Sequence, residues 1–78
     1  MKILAFGITK EYIGQSEIEL NDDSLSTVAH LKNRLIELYP NLKSLNSLAI
    51  AVNEVYAAEE DKIEQNDVVA LIPPVSGG

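Results

Sequence analysis

Between Thr27 and Pro40 lies the one stretch of this chain whose apolar residues recur with the period of a long α-helix. At 100° per residue, Val28, Leu31, Leu35, Leu38 and Tyr39 share a face, with His30, Asn33, Arg34 and Glu37 opposite. Ser26 or Thr27 supplies an N-cap hydroxyl. Pro40 ends the helix, because the residue before a proline is biased out of the helical region. A single helix with one apolar stripe must cover another layer, and the rest of the sequence is patterned to provide a sheet.

That patterning has a period of two. Residues 2–9 (KILAFGIT) are apolar and β-rich, and Lys10-Glu11 with Gly14-Gln15 reads as a turn. Ser16–Leu20 sets Ile18 and Leu20 against Glu17 and Glu19, as in a half-buried strand returning beside the first. After the helix and a polar loop (Asn41, Ser44, Asn46, Ser47), Leu48, Ile50 and Val52 alternate with Ala49 and Ala51. Asn53-Glu54 turns the chain into a short Val55–Ala57 segment, and Glu59-Glu60-Asp61 is a charged loop. In Gln65-Asn66-Asp67 the asparagine is expected to take the left-handed conformation, before a last strand, Val68–Ile72.

The expected class is therefore α+β: a two-layer domain with a mixed four- to five-stranded sheet and one main helix on one face. With the first and last strands central and parallel, this is the β-grasp, or ubiquitin-like, arrangement. The expected core is Ile3, Ile18, Val28, Leu31, Leu35, Ile50, Val52, Val69 and Leu71. The 78 residues suffice for one domain, read as a body over 1–74 and a flexible Gly-Gly tail over 75–78.

Composition removes several functions. A formal charge of −6, with six scattered basic residues, opposes nucleic-acid binding, which needs clustered Lys or Arg on phosphates. Without cysteine there is neither a disulfide frame nor a thiolate metal site. The apolar runs are too short to span a bilayer, and the N-terminal run lacks a cleavage pattern, so a cytoplasmic protein is expected. His30 has no cysteine or second histidine beside it and faces solvent by helical angle. Asp22-Asp23 and Glu59-Glu60-Asp61 lack calcium-loop spacing, and Ser76-Gly77 is not a nucleophile elbow. With no glycine-rich phosphate loop, any ATP must be held by a partner.

Two features remain. One helix covers one face of a sheet, so the other face should be polar. Yet Leu4, Phe6 and Ile8 oppose Ile3 and Ala5, and Val68, Ala70 and Ile72 oppose Val69 and Leu71. If the two strands are neighbours, their outer parities make an apolar patch around Phe6 and Ile72, extended by Ala49 and Ala51 and rimmed by Tyr56. Either loops or a second copy cover it, or a partner docks there; contiguous apolar patches favour docking. The second feature is the end of the chain. Pro73 and Pro74 lack the N–H a central strand requires, so they end the sheet and project the chain outward. Val75, Ser76, Gly77 and Gly78 then have little to pack on, and the side-chain-free glycines suit a narrow tunnel.

The segment DVVALIPPVSGG (Asp67–Gly78), with AVN at Ala51–Asn53, resembles the small subunit of molybdopterin synthase, the MoaD-type sulfur carriers. The resemblance follows the element order of the whole chain and is tightest at PPVSGG; it departs at Gln65-Asn66-Asp67, where family members often carry a glycine. It implies that Gly78 is the reactive residue, on a tail (Pro73 through Gly77) that threads into a partner, which would dock on the patch that the strand parity marks at Phe6, Tyr56 and Ile72. An adenylating enzyme using Mg-ATP would activate the Gly78 carboxylate, and a sulfur donor would replace AMP to leave a thiocarboxylate. The large synthase subunit, in a heterotetramer of two small and two large subunits, would supply the catalytic residues. The sulfur would pass to cyclic pyranopterin monophosphate in molybdenum cofactor biosynthesis. The resemblance thus implies a carrier, not an enzyme by itself, and no cofactor or metal held by this chain. Carriers for thiamine thiazole synthesis or tRNA thiolation also end in Gly-Gly on a β-grasp, and a non-catalytic interaction module stands as a further alternative.

Overall fold

A computed structural model describes residues 1–45 and 47–74 of the chain. Its elements run β1 (Lys2–Ala5), α1 (Ile8–Ile13), β2 (Glu17–Glu19), α2 (Val28–Leu38), a 3-10 turn (Pro40–Ser44), β3 (Ala49–Val52), β4 (Val55–Ala57) and β5 (Val68–Ile72). The five strands form one sheet in the order β2-β1-β5-β3-β4, with β1 parallel to β5 and every other pairing antiparallel. The first and last strands are thus parallel neighbours inside the sheet, as expected of a β-grasp.

The first strand is shorter than its apolar run suggests. It stops at Ala5, and Ile8–Ile13 forms a helical turn where a simple hairpin connection was expected. Gly7 takes φ +55°, and the Thr9 hydroxyl then closes the turn on Phe6, accepting from its N–H at 2.9 Å and donating to its carbonyl at 2.6 Å. Gly14 ends α1 in the left-handed conformation, donating its N–H to the Lys10 carbonyl at 2.8 Å. Thr9 and Ile13, four residues apart, are the buried side of this short helix.

Thr27 is the N-cap of α2, its hydroxyl accepting from the His30 N–H at 3.3 Å. The next two free N–H groups, on Val28 and Ala29, donate to the carbonyls of Asp61 and Glu59, each at 2.9 Å. The charged loop therefore closes the helix N-terminus, which no local sequence rule announces. At the other end Leu38 is 48% exposed, although it belongs to the apolar stripe. The chain leaves the helix at Tyr39, and the following 3-10 turn brings Leu42 into the core instead.

Ile3, Val28, Leu31, Leu35, Ile50, Val69 and Leu71 are buried as expected, joined by Met1, Ile13, Leu42, Leu48 and Ile63. Ile18 and Val52 are only partly buried against that cluster. Ile18 sits on a three-residue edge strand, and Val52 adjoins the β3–β4 turn, so each has a neighbour on fewer sides.

The left-handed conformation expected at Asn66 lies elsewhere. Asn53 (φ 50°) and Glu54 (φ 70°) carry it, as a two-residue hairpin of the primed type requires. The turn before β5 is closed without a positive φ. Asp67 donates its N–H to the Glu64 carbonyl at 3.1 Å, and its carboxylate accepts from the Glu64 N–H at 2.7 Å. A glycine is therefore not needed there. Asn53 clasps the two turns together: its amide oxygen accepts from the Val68 N–H at 3.0 Å, and its NH2 donates to the Asp67 carboxylate at 2.9 Å. Asn53→Ala removes both bonds and strains a left-handed residue, so urea denaturation should show a loss of about 2 kcal/mol. That is a large share of the roughly 4–12 kcal/mol expected of a domain this size. A loss under about 0.5 kcal/mol, the range of an ordinary surface change, would show that the clasp is idle.

Candidate functional site: the open sheet face and the root of the tail

The helix covers one side of the sheet, and on the other side the strands present the parity that sequence patterning marked as out of place. One row crosses four strands: Tyr56 on β4, Ala51 on β3, Ala70 on β5 and Leu4 on β1, each paired with the next. In the row above, Ala49 pairs with Ile72, and the parallel register of β1 and β5, carried one step past Ala5 and Leu71, sets Phe6 beside Ile72. Among the described residues this surface is open at its edges, with Phe6 50% exposed, Tyr56 71% and Val68 37%, while Ala51 at its centre is buried between its neighbours. The centre is floored by alanines, between a ridge of Leu4 and Phe6 on one side and Tyr56 on the other. Because the floor side chains are single methyl groups, an opposing surface can approach close to the backbone.

The expected docking residues divide between two hollows. Phe6 lines one with Leu4, Val68, Ala70, Asn53 and Glu54. Tyr56 and Ile72 line the other together with Pro73, Pro74, Ala49 and Lys32. Tyr56 is therefore close to Ile72 and to the root of the tail but does not share the hollow of Phe6. The strand order explains this, since Tyr56 stands on β4 and Phe6 just past the end of β1, with β5 and β3 between them.

β5 ends at Ile72; Pro73 is half-buried and Pro74 exposed. A Cβ on Gly7 would stand 3.2 Å from the Pro73 ring, so the glycine leaves room for the first proline to lie against the β1–α1 connection. Val75, Ser76, Gly77 and Gly78, the residues expected to thread and react, lie outside the described residues.

The residues set aside from sequence have structural roles or none. His30 is exposed, with Nδ1 3.1 Å from the Ser26 hydroxyl. The Asp22 carboxylate accepts from the Ser24 hydroxyl at 2.6 Å and the Ser24 N–H at 3.0 Å, and pairs with Arg34 at 3.0 Å. The Ser24 hydrogen bonds, with a smaller contribution from Arg34, hold its carboxyl below the ordinary range. Among the described residues no cluster of three potential ligands could hold a metal, and no helix is long and apolar enough to cross a membrane. Lys32, at the tail root, was missed. It lies between the apolar stripe and the polar side of α2, and nothing in the sequence connects it to Pro73 and Pro74.

Comparison with known proteins accords with this geometry. Residues 3–78 match the ThiS family. The molybdopterin synthase sulfur carrier subunit of Dictyostelium discoideum is 41% identical over 83 aligned positions, covering 99% of this chain and 94% of that protein. Among solved structures, small archaeal modifier protein 1 (SAMP1) from Haloferax volcanii superposes with a TM-score of 0.84 at 26% identity, covering 100% of this chain and 98% of that one. The same fold recurs, with a TM-score of 0.66 at 24% identity and coverage of 99% and 96%, in a complex of subunits 1 and 2 of molybdopterin-converting factor from Helicobacter pylori.

Proposed function

Because this chain belongs to the ThiS family of β-grasp sulfur carriers, we propose that it is the sulfur-carrier subunit of a molybdopterin synthase, working in the cytoplasm through the carboxylate of Gly78. The observation that carries this reading is the family match itself, which runs from the first strand through Gly78 rather than stopping with the folded body.

The chemistry follows from what a carboxylate lacks. Its oxygen is a poor leaving group, so an adenylating partner first converts Gly78 to an acyl adenylate, from which AMP departs readily. A sulfur nucleophile then takes the place of AMP, giving the thiocarboxylate. The chain has no cysteine, so its backbone terminus is the position at which sulfur can be held. The larger partner subunit provides the catalytic side chains and accepts the tail, while the alanine-floored face supplies binding area. The two-subunit reading is supported by the Dictyostelium relative, a named subunit of a synthase, and by the Helicobacter complex. The recipient in this scheme is cyclic pyranopterin monophosphate.

Incubating the chain with its activating enzyme, Mg-ATP and a sulfide source tests the first half. Mass spectrometry should find one oxygen exchanged for sulfur, located to Gly78 by fragmentation. An unchanged mass, or sulfur on any other residue, would end this reading.

A further inference from the structure

We propose that the hollow beside Phe6 takes an arginine side chain of the larger subunit, whose guanidinium pairs with Glu54. This rests on the docking of that subunit on the open sheet face, as proposed above. Leu4, Phe6, Val68 and Ala70 line the hollow together with the Asn53-Glu54 turn. In the parallel register of β1 and β5, Leu4 stands beside Ala70, with Phe6 toward one end and Val68 toward the other. The turn closes the Val68 end, because Asn53 donates its N–H to the Val68 carbonyl at 2.8 Å. The hollow is thus an apolar trough with a polar end, which suits a side chain with an apolar stem and a charged head.

Glu54 is the one charged residue in the lining. The Asn53 amide is already spent on the Val68 N–H and the Asp67 carboxylate. Glu54 is exposed, and none of the ion pairs among the described residues engages its carboxylate. The sign of that charge makes the complementary head a cation. A guanidinium fits better than an ammonium, since it is more weakly hydrated and can fork two N–H groups onto one carboxylate.

The backbone adds an independent observation. Glu54 has φ +70° at the second central position of the β3–β4 hairpin, where a primed turn favours glycine. A glutamate there serves the turn less well than a glycine would, so local turn chemistry does not account for it. A side chain held in an unfavourable backbone conformation beside an open hollow points to a use for that side chain.

The test is binding of the full chain to the larger subunit by titration calorimetry, with phenylglyoxal modification of the complex to locate protected arginines. One arginine of the larger subunit should be protected in the native complex and reactive in the Glu54→Gln complex at equal occupancy. Glu54→Gln should bind on the order of ten-fold more weakly or worse, as expected for one charge-assisted contact. Glu60→Gln removes the same charge from an exposed loop outside the hollow and should bind like the native chain. Glu54→Gly should bind as weakly as Glu54→Gln yet melt no lower than the native chain, because glycine takes φ +70° without steric cost. A role confined to the turn would not separate those two readouts. Undiminished binding by Glu54→Gln, tighter binding that marks an apolar occupant, an equal loss in Glu60→Gln, or no protected arginine would each overturn the assignment while leaving the docking face intact. A native chain that does not bind the larger subunit would overturn the docking reading and this assignment together.

Discussion

Removing Gly78, or adding one residue after it, should abolish sulfur transfer while leaving the folded body and its melting temperature unchanged. β5 ends at Ile72, and among the described residues the buried cluster contains nothing beyond Leu71. Neither change alters any residue of that cluster. Either one displaces the reacting carbon by the reach of one extended residue, roughly 3.3–3.6 Å. Misplacing a reactive centre by even about 1 Å can cost on the order of 100-fold in rate. The measurement is reconstituted molybdopterin formation by the shortened, extended and native chains, with partner binding determined separately. Binding should change far less than turnover, because the sheet face is intact in all three. Full activity from either variant would show that Gly78 is not the sulfur-bearing residue.

Phe6→Asp should weaken binding to the larger subunit by roughly 100-fold or more, since an unpaired carboxylate would be buried in an apolar contact. Phe6 is half exposed in the free chain, so its replacement sacrifices little core packing. Leu38 provides a matched control: it is 48% exposed but lies on the helix, on the opposite side of the molecule. Leu38→Asp should fold equally well and bind like the native chain. Titration calorimetry on both variants, with circular dichroism to confirm folding, decides the point. Equal losses from the two, or none from Phe6→Asp, would remove the open sheet face as the docking surface.

Different parts of the molecule were legible in the sequence to different degrees. Long periodic segments read well: α2 from its stripe and Thr27 cap, and β5 from its run of apolar residues up to the prolines. The six residues of α1 did not, because a helix of under two turns shows too little periodicity to stand out from a strand. Its signal was Gly14 at the C-terminal cap, with Thr9 and Ile13 on one side. Turn chemistry was half readable. The left-handed conformation was expected at Asn66, but Asn53 and Glu54 adopt it and Asn66 does not. Local propensity is similar at the two positions, and the hairpin geometry between β3 and β4 decides.

The sequence by itself determined the two-layer class, the inward parity of the main strands, the apolar excess on the outward parity, and the two prolines that follow the last strand. These follow from periodicity and from the covalent properties of proline, which act locally. Tertiary structure alone decided which outward residues meet. Placing β5 between β1 and β3 aligned Leu4, Ala70, Ala51 and Tyr56 into a single row although 66 positions separate Leu4 from Ala70. It also brought Lys32 to the hollow at Pro73 and Pro74, and the Asp61 and Glu59 carbonyls to the start of α2. Such contacts depend on strand order and register, which are fixed by burying the whole core at once and leave no mark in any short stretch of chain.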